Sequence, residues 1–200
     1  PTHHGVFDFS YLRHMPNIVM MAPKDENELQ EMIATAVDYQ EGPIALRYPR
    51  GTGVGVPLAN KPKALSVGKA EILKTGQDLL ILAVGNRVYP SLEAANVLED
   101  MGVKATVVNA RLVKPLDVSL IVSLAKKIGK VITVEDNALA GGFGSAVVEL
   151  LSDRHVLAHI KRLGIPDKFI EHGDVKALYS QCGCDEQGIV TAGQALCKSN

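Results

Sequence analysis

The chain has 200 residues, 46% of them hydrophobic and 22% charged, a composition with apolar material for one or two globular cores. Its formal net charge of -1 argues against a nucleic-acid footprint or a polybasic membrane patch. With no Trp and 4% aromatics it offers no stacking platform for bases or sugars, and no segment reaches the ~18 apolar residues of a membrane span.

The chain opens PTHHGVFDFS, polar and carrying Asp8, which does not fit a signal peptide. Pro1 without a methionine suggests an excised or trimmed chain, although methionine removal before proline gives the same start. His3 and His4 are adjacent, so on an extended backbone they point to opposite sides and cannot readily share one metal. A loop histidine there is either a surface or packing residue or a general acid/base, its pKa lying near neutrality.

NIVMMAP (17–23) predicts a short buried strand. A helix follows, with Asp25 as N-cap, Glu28 completing a capping box, and Leu29, Met32, Ile33, Ala36 and Val37 at helical spacing before Gly42. IALRYP (44–49) predicts the next strand, which makes a right-handed parallel crossover unit. RYPRG then places Arg50 at a strand's carboxyl end, where ligands gather in parallel α/β sheets. Its guanidinium there suits a phosphate, or is a surface arginine on a turn. GTGVG lacks the last spaced glycine of a dinucleotide fingerprint and runs into a proline-containing stretch, 51–66, that has the composition of a linker.

Beyond the linker the elements alternate. GKAEILK, DLLILAVG, KATVVNA, KVITVED and VLAHIKRLG predict strands. VYPSLEAANVLEDMG, DVSLIVSLAKKIG and GGFGSAVVELLSD predict helices between them, and DVKALYSQCG and EQGIVTAGQALCK two closing helices. The implied class is α/β, with a mostly parallel sheet and helices on both faces. Asp117 after Lys114-Pro115-Leu116 predicts an N-cap. Gly141, Gly142 and Gly144 before a helix either hold an anion on free N–H groups or make a tight turn for close packing. His155 and His159 lack the glutamate of a metalloprotease pattern, and Cys182, Cys184 and Cys197 have no metal or redox spacing, consistent with reduced thiols of a cytoplasmic protein. The first part contains one strand–helix–strand unit, and two strands alone are marginal in water. The chain is therefore expected to begin inside a domain.

THHGVFDFSYLRHMPN, APKDENEL, GPIALRYPRG, NARLVKPLD, VEDNALAGGFGSAV and GIPDKFIEHG together resemble the 1-deoxy-D-xylulose-5-phosphate synthases, of the transketolase-like superfamily. The resemblance implies a transferase that uses thiamine diphosphate and Mg²⁺ to condense pyruvate with glyceraldehyde 3-phosphate, releasing carbon dioxide, on the way to isoprenoid, thiamine and pyridoxal precursors. It implies a C-terminal fragment: residues 1–60 as the end of the pyrimidine-binding domain, and 66–200 as a transketolase-like C-terminal domain. His3 matches the family's active-site histidine. Arg50 matches the arginine that grips the aldehyde's phosphate, and Tyr48 is expected to shape that pocket. The family's Gly-Asp-Gly and Asn-Asn signature for metal and diphosphate is absent from this sequence, so the principal cofactor ligands are expected elsewhere and the fragment alone is expected to be inactive. A homodimer is implied, in the bacterial cytoplasm or a plastid. Two other readings stay open: a transketolase or 2-oxo acid dehydrogenase β-like subunit, and a non-catalytic dimerisation or regulatory module.

Overall fold

A computed structural model describes residues 4–198. The sequence writes its central sheet most clearly at β4 (Leu79–Ala83), five apolar residues that are all buried. Successive side chains of a strand point to opposite faces. Leu79, Ile81 and Ala83 accordingly join one core with Leu98, Ile189 and Val190, while Leu80 and Leu82 join another with Ile121, Phe143 and Val147. A strand apolar on both faces needs helices on both sides. Here α3 (Val88–Asp100) and α7 (Glu186–Lys198) cover one face, and α4 (Val118–Ile128) and α5 (Phe143–Asp153) the other.

The sheet order is β3-β5-β4-β7-β8, with β3 (Glu71–Lys74), β5 (Ala105–Asn109), β7 (Lys130–Ala138) and β8 (His159–Ile165). β5, β4, β7 and β8 run parallel, and β3 is an antiparallel edge strand. The fold is thus α/β, a mostly parallel sheet with helices on both faces, as the alternation of elements in the sequence implies. Asp117 caps α4 as expected, accepting from Leu120 N at 3.2 Å, and Gly129 closes that helix at φ 74°. α6 (Val175–Cys182) and α7 are the two closing helices.

The first part carries α1 (Asp8–Leu12), β1 (Val19–Met21), α2 (Glu26–Asp38) and β2 (Ile44–Leu46). β1 and β2 pair in parallel, and the sheet they make is completed from beyond the linker. β6 (Leu112–Lys114) runs antiparallel to β1 to give the order β2-β1-β6. Three strands packed on a helix form a stable unit where two would not, which is how the early residues are held.

The structure differs from the sequence reading in several places. α1 and β6 were not expected; each is too short to show a period. The strand expected at 44–49 ends at Leu46, so Arg47–Arg50 lie beyond it, though Arg47 N still donates to Met21 O at 2.9 Å. The strand expected from Val156 begins at His159, because His155 turns the chain at φ 52°. In the capping box Asp25 Oδ1 accepts from Glu28 N at 2.8 Å, but the Glu28 carboxylate reaches Lys24 N, not the backbone of Asp25.

The linker 51–66 is laced to α2. The Glu26 carboxylate accepts from the N–H groups of Val54, Gly55 and Val56, and Thr35 Oγ1 accepts from Leu65 N at 2.7 Å. These bonds satisfy backbone donors that a free loop would leave to water. GTGVG therefore curls around a carboxylate of the chain itself.

Candidate functional site

A cleft of about 690 Å³ opens where the end of β2, the segment before α1 and the segment after β8 meet. One wall is Arg47, Tyr48, Pro49 and Arg50; another is His4, Gly5 and Val6; a third is Ile170, Glu171 and His172. Pockets at the carboxyl ends of parallel strands follow from the α/β architecture, because the helices leave those ends open.

The two arginines differ. Arg50 is exposed on the rim, and among the described residues it makes no ion pair and no side-chain hydrogen bond. Tyr48, also exposed, stands beside it. Arg47 turns inward and meets three acceptors. Its Nη1 lies 3.0 Å from Asp136 Oδ2, and its Nη2 donates to the carbonyls of Gly5 at 2.7 Å and Asp136 at 2.8 Å. Asp136 is buried at the end of β7 and also meets Asn86 Nδ2 at 3.4 Å. Asn86 in turn donates to Tyr179 Oη at 3.0 Å, and Arg87 stacks its guanidinium 3.6 Å from the Tyr179 ring centre. Burial, and then the Asp136 charge, push the Tyr179 hydroxyl up to about 12, so it stays protonated as a donor at neutral pH.

The histidine stretch is pinned from the other side. Ala138 N donates to Val6 O at 2.7 Å. His4 Nε2 lies 2.9 Å from the carbonyl of Ile170, which makes it the protonated nitrogen. The His4 and Phe7 rings pack against Phe169 at 5.8 and 6.2 Å. His4 thus joins the loop after β8 to the cleft. His3 lies outside the described residues, so its side chain is not placed; its neighbour His4 lines the cleft.

The glycine turn resolves to close packing. The Glu135 carboxylate occupies the start of α5, accepting from Phe143 N at 2.7 Å and Gly144 N at 2.8 Å. The place at which the helix N-terminus would favour an external acceptor is thus taken by a side chain of the chain itself. The sequence reading did not single out Arg47, Asn86, Arg87, Asp136 or Tyr179. For Asp136 the available signal was Glu135-Asp136-Asn137, three consecutive polar residues in an otherwise mostly apolar strand. Among the described residues, no group of three His, Cys, Asp or Glu side chains could hold a metal ion.

Residues 68–189 match the transketolase C-terminal domain, and residues 1–53 the transketolase pyrimidine binding domain. The chain is 54% identical over 190 residues to the 1-deoxy-D-xylulose-5-phosphate synthase of Thermomicrobium roseum, covering 95% of this chain and 30% of that protein. It is 54% identical over 197 residues to 1-deoxy-D-xylulose-5-phosphate synthase 1 of Geobacter sulfurreducens, covering 98% of this chain and 31% of that one. The chain therefore spans under a third of the length of these relatives. A solved structure described as a split gene transketolase, inactive beta4 tetramer, superposes with a TM-score of 0.85 at 33% identity, over 94% of this chain and 61% of that one. The transketolase of Leishmania mexicana superposes with a TM-score of 0.73 at 22% identity, over 99% of this chain and 28% of that one, and so shares the fold.

Proposed function

Because the chain belongs to the transketolase family, and its relatives over nearly its whole length are 1-deoxy-D-xylulose-5-phosphate synthases, we propose that it is the substrate-side portion of such a synthase. The reaction is the condensation of pyruvate with glyceraldehyde 3-phosphate, releasing carbon dioxide. Residues 1–60 are the end of the pyrimidine-binding domain and 66–200 the C-terminal domain, in a homodimer. One observation carries the reading: Arg50, with no ion pair or side-chain hydrogen bond among the described residues, stands in a cleft that His4 also lines. A guanidinium offers a phosphate monoester two parallel charge-assisted hydrogen bonds. Arg50, with Tyr48 beside it, binds the phosphate of the aldehyde, and His3 hydrogen-bonds the reacting oxygens.

Thiamine diphosphate supplies the carbanion chemistry in this family when it is bound. We expect its principal metal and diphosphate ligands in the rest of the natural protein, because the family's Gly-Asp-Gly and Asn-Asn signature does not occur in this sequence. No step is assigned to this chain through that group, and the chain alone is expected to be inactive.

The test uses the chain joined to the upstream sequence of its natural protein. Carbon dioxide release from pyruvate is followed with thiamine diphosphate and Mg²⁺, with and without glyceraldehyde 3-phosphate. Release that depends on the aldehyde, with deoxyxylulose phosphate as product, supports the synthase. Release indifferent to the aldehyde, or requiring an added partner chain, points to a 2-oxo acid dehydrogenase β-like subunit and removes the role of Arg50.

A further inference from the structure

Two arginines three residues apart serve one cleft, and among the described residues Arg50 has no side-chain partner while Arg47 has several. The guanidinium of Arg47 is already committed to three acceptors, the carbonyls of Gly5 and Asp136 and the carboxylate of Asp136. Its Cζ also lies 5.3 Å from the centre of the Phe9 ring, and its Nε stands 3.8 Å from Asp8 Oδ2. The side chain is 13% exposed and that of Asp136 7%. A largely buried ion pair tied by further hydrogen bonds has little freedom to move, and removing one partner strands a charge.

What these bonds join is specific. Gly5 O is two residues beyond His3; Arg47 is three residues before Arg50; Asp136 is near the end of β7 in the other sheet. One planar fork therefore spans the histidine side and the phosphate side of the cleft and fixes both to the large sheet. Asp136 extends the connection through Asn86 to Tyr179 on α6. We infer that Arg47 is a positioning residue, whose clamp on Gly5 and Asp136 sets the separation between the His4–Gly5 stretch and Arg50. The inference rests on the function proposed above. Lysine, a point charge on a flexible stem, cannot hold three acceptors arranged around a plane.

The experiment uses the complete enzyme with Arg47→Lys, Arg47→Ala, Asp136→Asn and Arg50→Ala. A misplacement of about 1 Å at a reacting centre costs up to about 100-fold in rate. Arg47→Lys is expected to lower kcat by about 10- to 100-fold while KM for glyceraldehyde 3-phosphate stays within about threefold. Arg50→Ala is expected to do the reverse, raising that KM. Millimolar methylguanidinium should restore part of the rate to Arg47→Ala, which a general loss of stability would not allow. Asp136→Asn should reproduce the kcat loss more weakly. Wild-type kcat in both Arg47 variants would overturn the inference, and so would a loss expressed wholly in the aldehyde KM, which would make Arg47 a second phosphate ligand. Hydrogen exchange over residues 4–9 is read in the same proteins, and it should rise in Arg47→Lys. Unchanged exchange there overturns the clamp whatever the enzyme catalyses. Absent aldehyde-dependent turnover in the wild type instead overturns the function, and leaves the exchange result to judge the clamp.

Discussion

Replacing Glu28 by alanine removes the anion around which the two sheets are joined. Glu28 is fully buried at the start of α2. Its Oε1 lies 3.1 Å from Lys24 Nζ, 2.9 Å from Arg111 Nε and 2.8 Å from Asn109 Nδ2, while Oε2 accepts from Lys24 N at 2.8 Å. Asn109 and Arg111 belong to the second part of the chain, so these bonds cross between the parts. Breaking a buried pair from one side costs about 3–5 kcal/mol, because the partner charge is stranded. Here Glu71 remains, 3.2 Å from Lys24 Nζ and 3.0 Å from Arg111 Nη2, which places the cost near the lower end, about 3 kcal/mol. For a chain of this size, that is a fall in melting temperature of about 6–12 °C. Glu71 is partly exposed, so Glu71→Ala alone should cost less than about 1 kcal/mol. The double variant should cost more than the sum, since the last carboxylate facing both cations is then gone. Urea unfolding of the four proteins followed by far-UV circular dichroism measures all three values. A Glu28→Ala loss under about 1 kcal/mol, or strict additivity with Glu71→Ala, would refute the reasoning.

Burial pushes the Glu135 carboxyl up to about 7, against the lowering influence of the Gly144 and Phe143 N–H groups and the Arg162 and Arg13 charges. The folded chain then holds that proton more tightly than the unfolded one, so the stabilisation is full below about 4.5 and is lost as pH rises through about 7. Its size is about 3 kcal/mol, and urea midpoints between pH 5 and 8 should fall accordingly; a flat profile in that window would count against it. Gly144→Ala puts a methyl group 2.5 Å from Thr133 Oγ1 and 3.1 Å from Arg162 Cδ, so it should destabilise by about 1–3 kcal/mol in the same assay. In the complete enzyme, His3→Ala should lower kcat and Arg50→Ala should raise KM for glyceraldehyde 3-phosphate, both read from steady-state kinetics; unchanged constants would make these residues bystanders.

The long elements were legible because their burial repeats. Leu79–Ala83 is apolar on both faces and could only be a central strand, and Asp117 and Gly129 mark the ends of α4 in residue type alone. β6 was hidden because three residues show no period, and its partner β1 lies about ninety positions away. The site divides in the same way. Arg50 could be singled out as a candidate because it follows a strand in RYPRG, where a ligand and a turn are both open, and the resemblance adds the phosphate role proposed above. Arg47 sits in the same motif, and its duties become visible only when Gly5 and Asp136, 42 and 89 positions away, are brought to it. The glycine turn left two readings open, and Glu135 decides between them from eight residues upstream by filling the place an anion would take.

The strand contributed by Leu112–Lys114 also constrains how this chain can be recombined. The loop at 51–66 looks like a natural crossover point for making hybrids between relatives. A hybrid cut there keeps β1 and β2 from one parent and takes their third strand, with Arg111 beside it, from the other. Such a hybrid inherits a seam inside a sheet, where Met20 faces Lys114 and Met21 faces Leu112. Parents that differ at 111–114 or at 19–28 will pair poorly across that seam, even when each half is sound in its own protein. Successful exchanges must therefore carry these two stretches as one unit of inheritance.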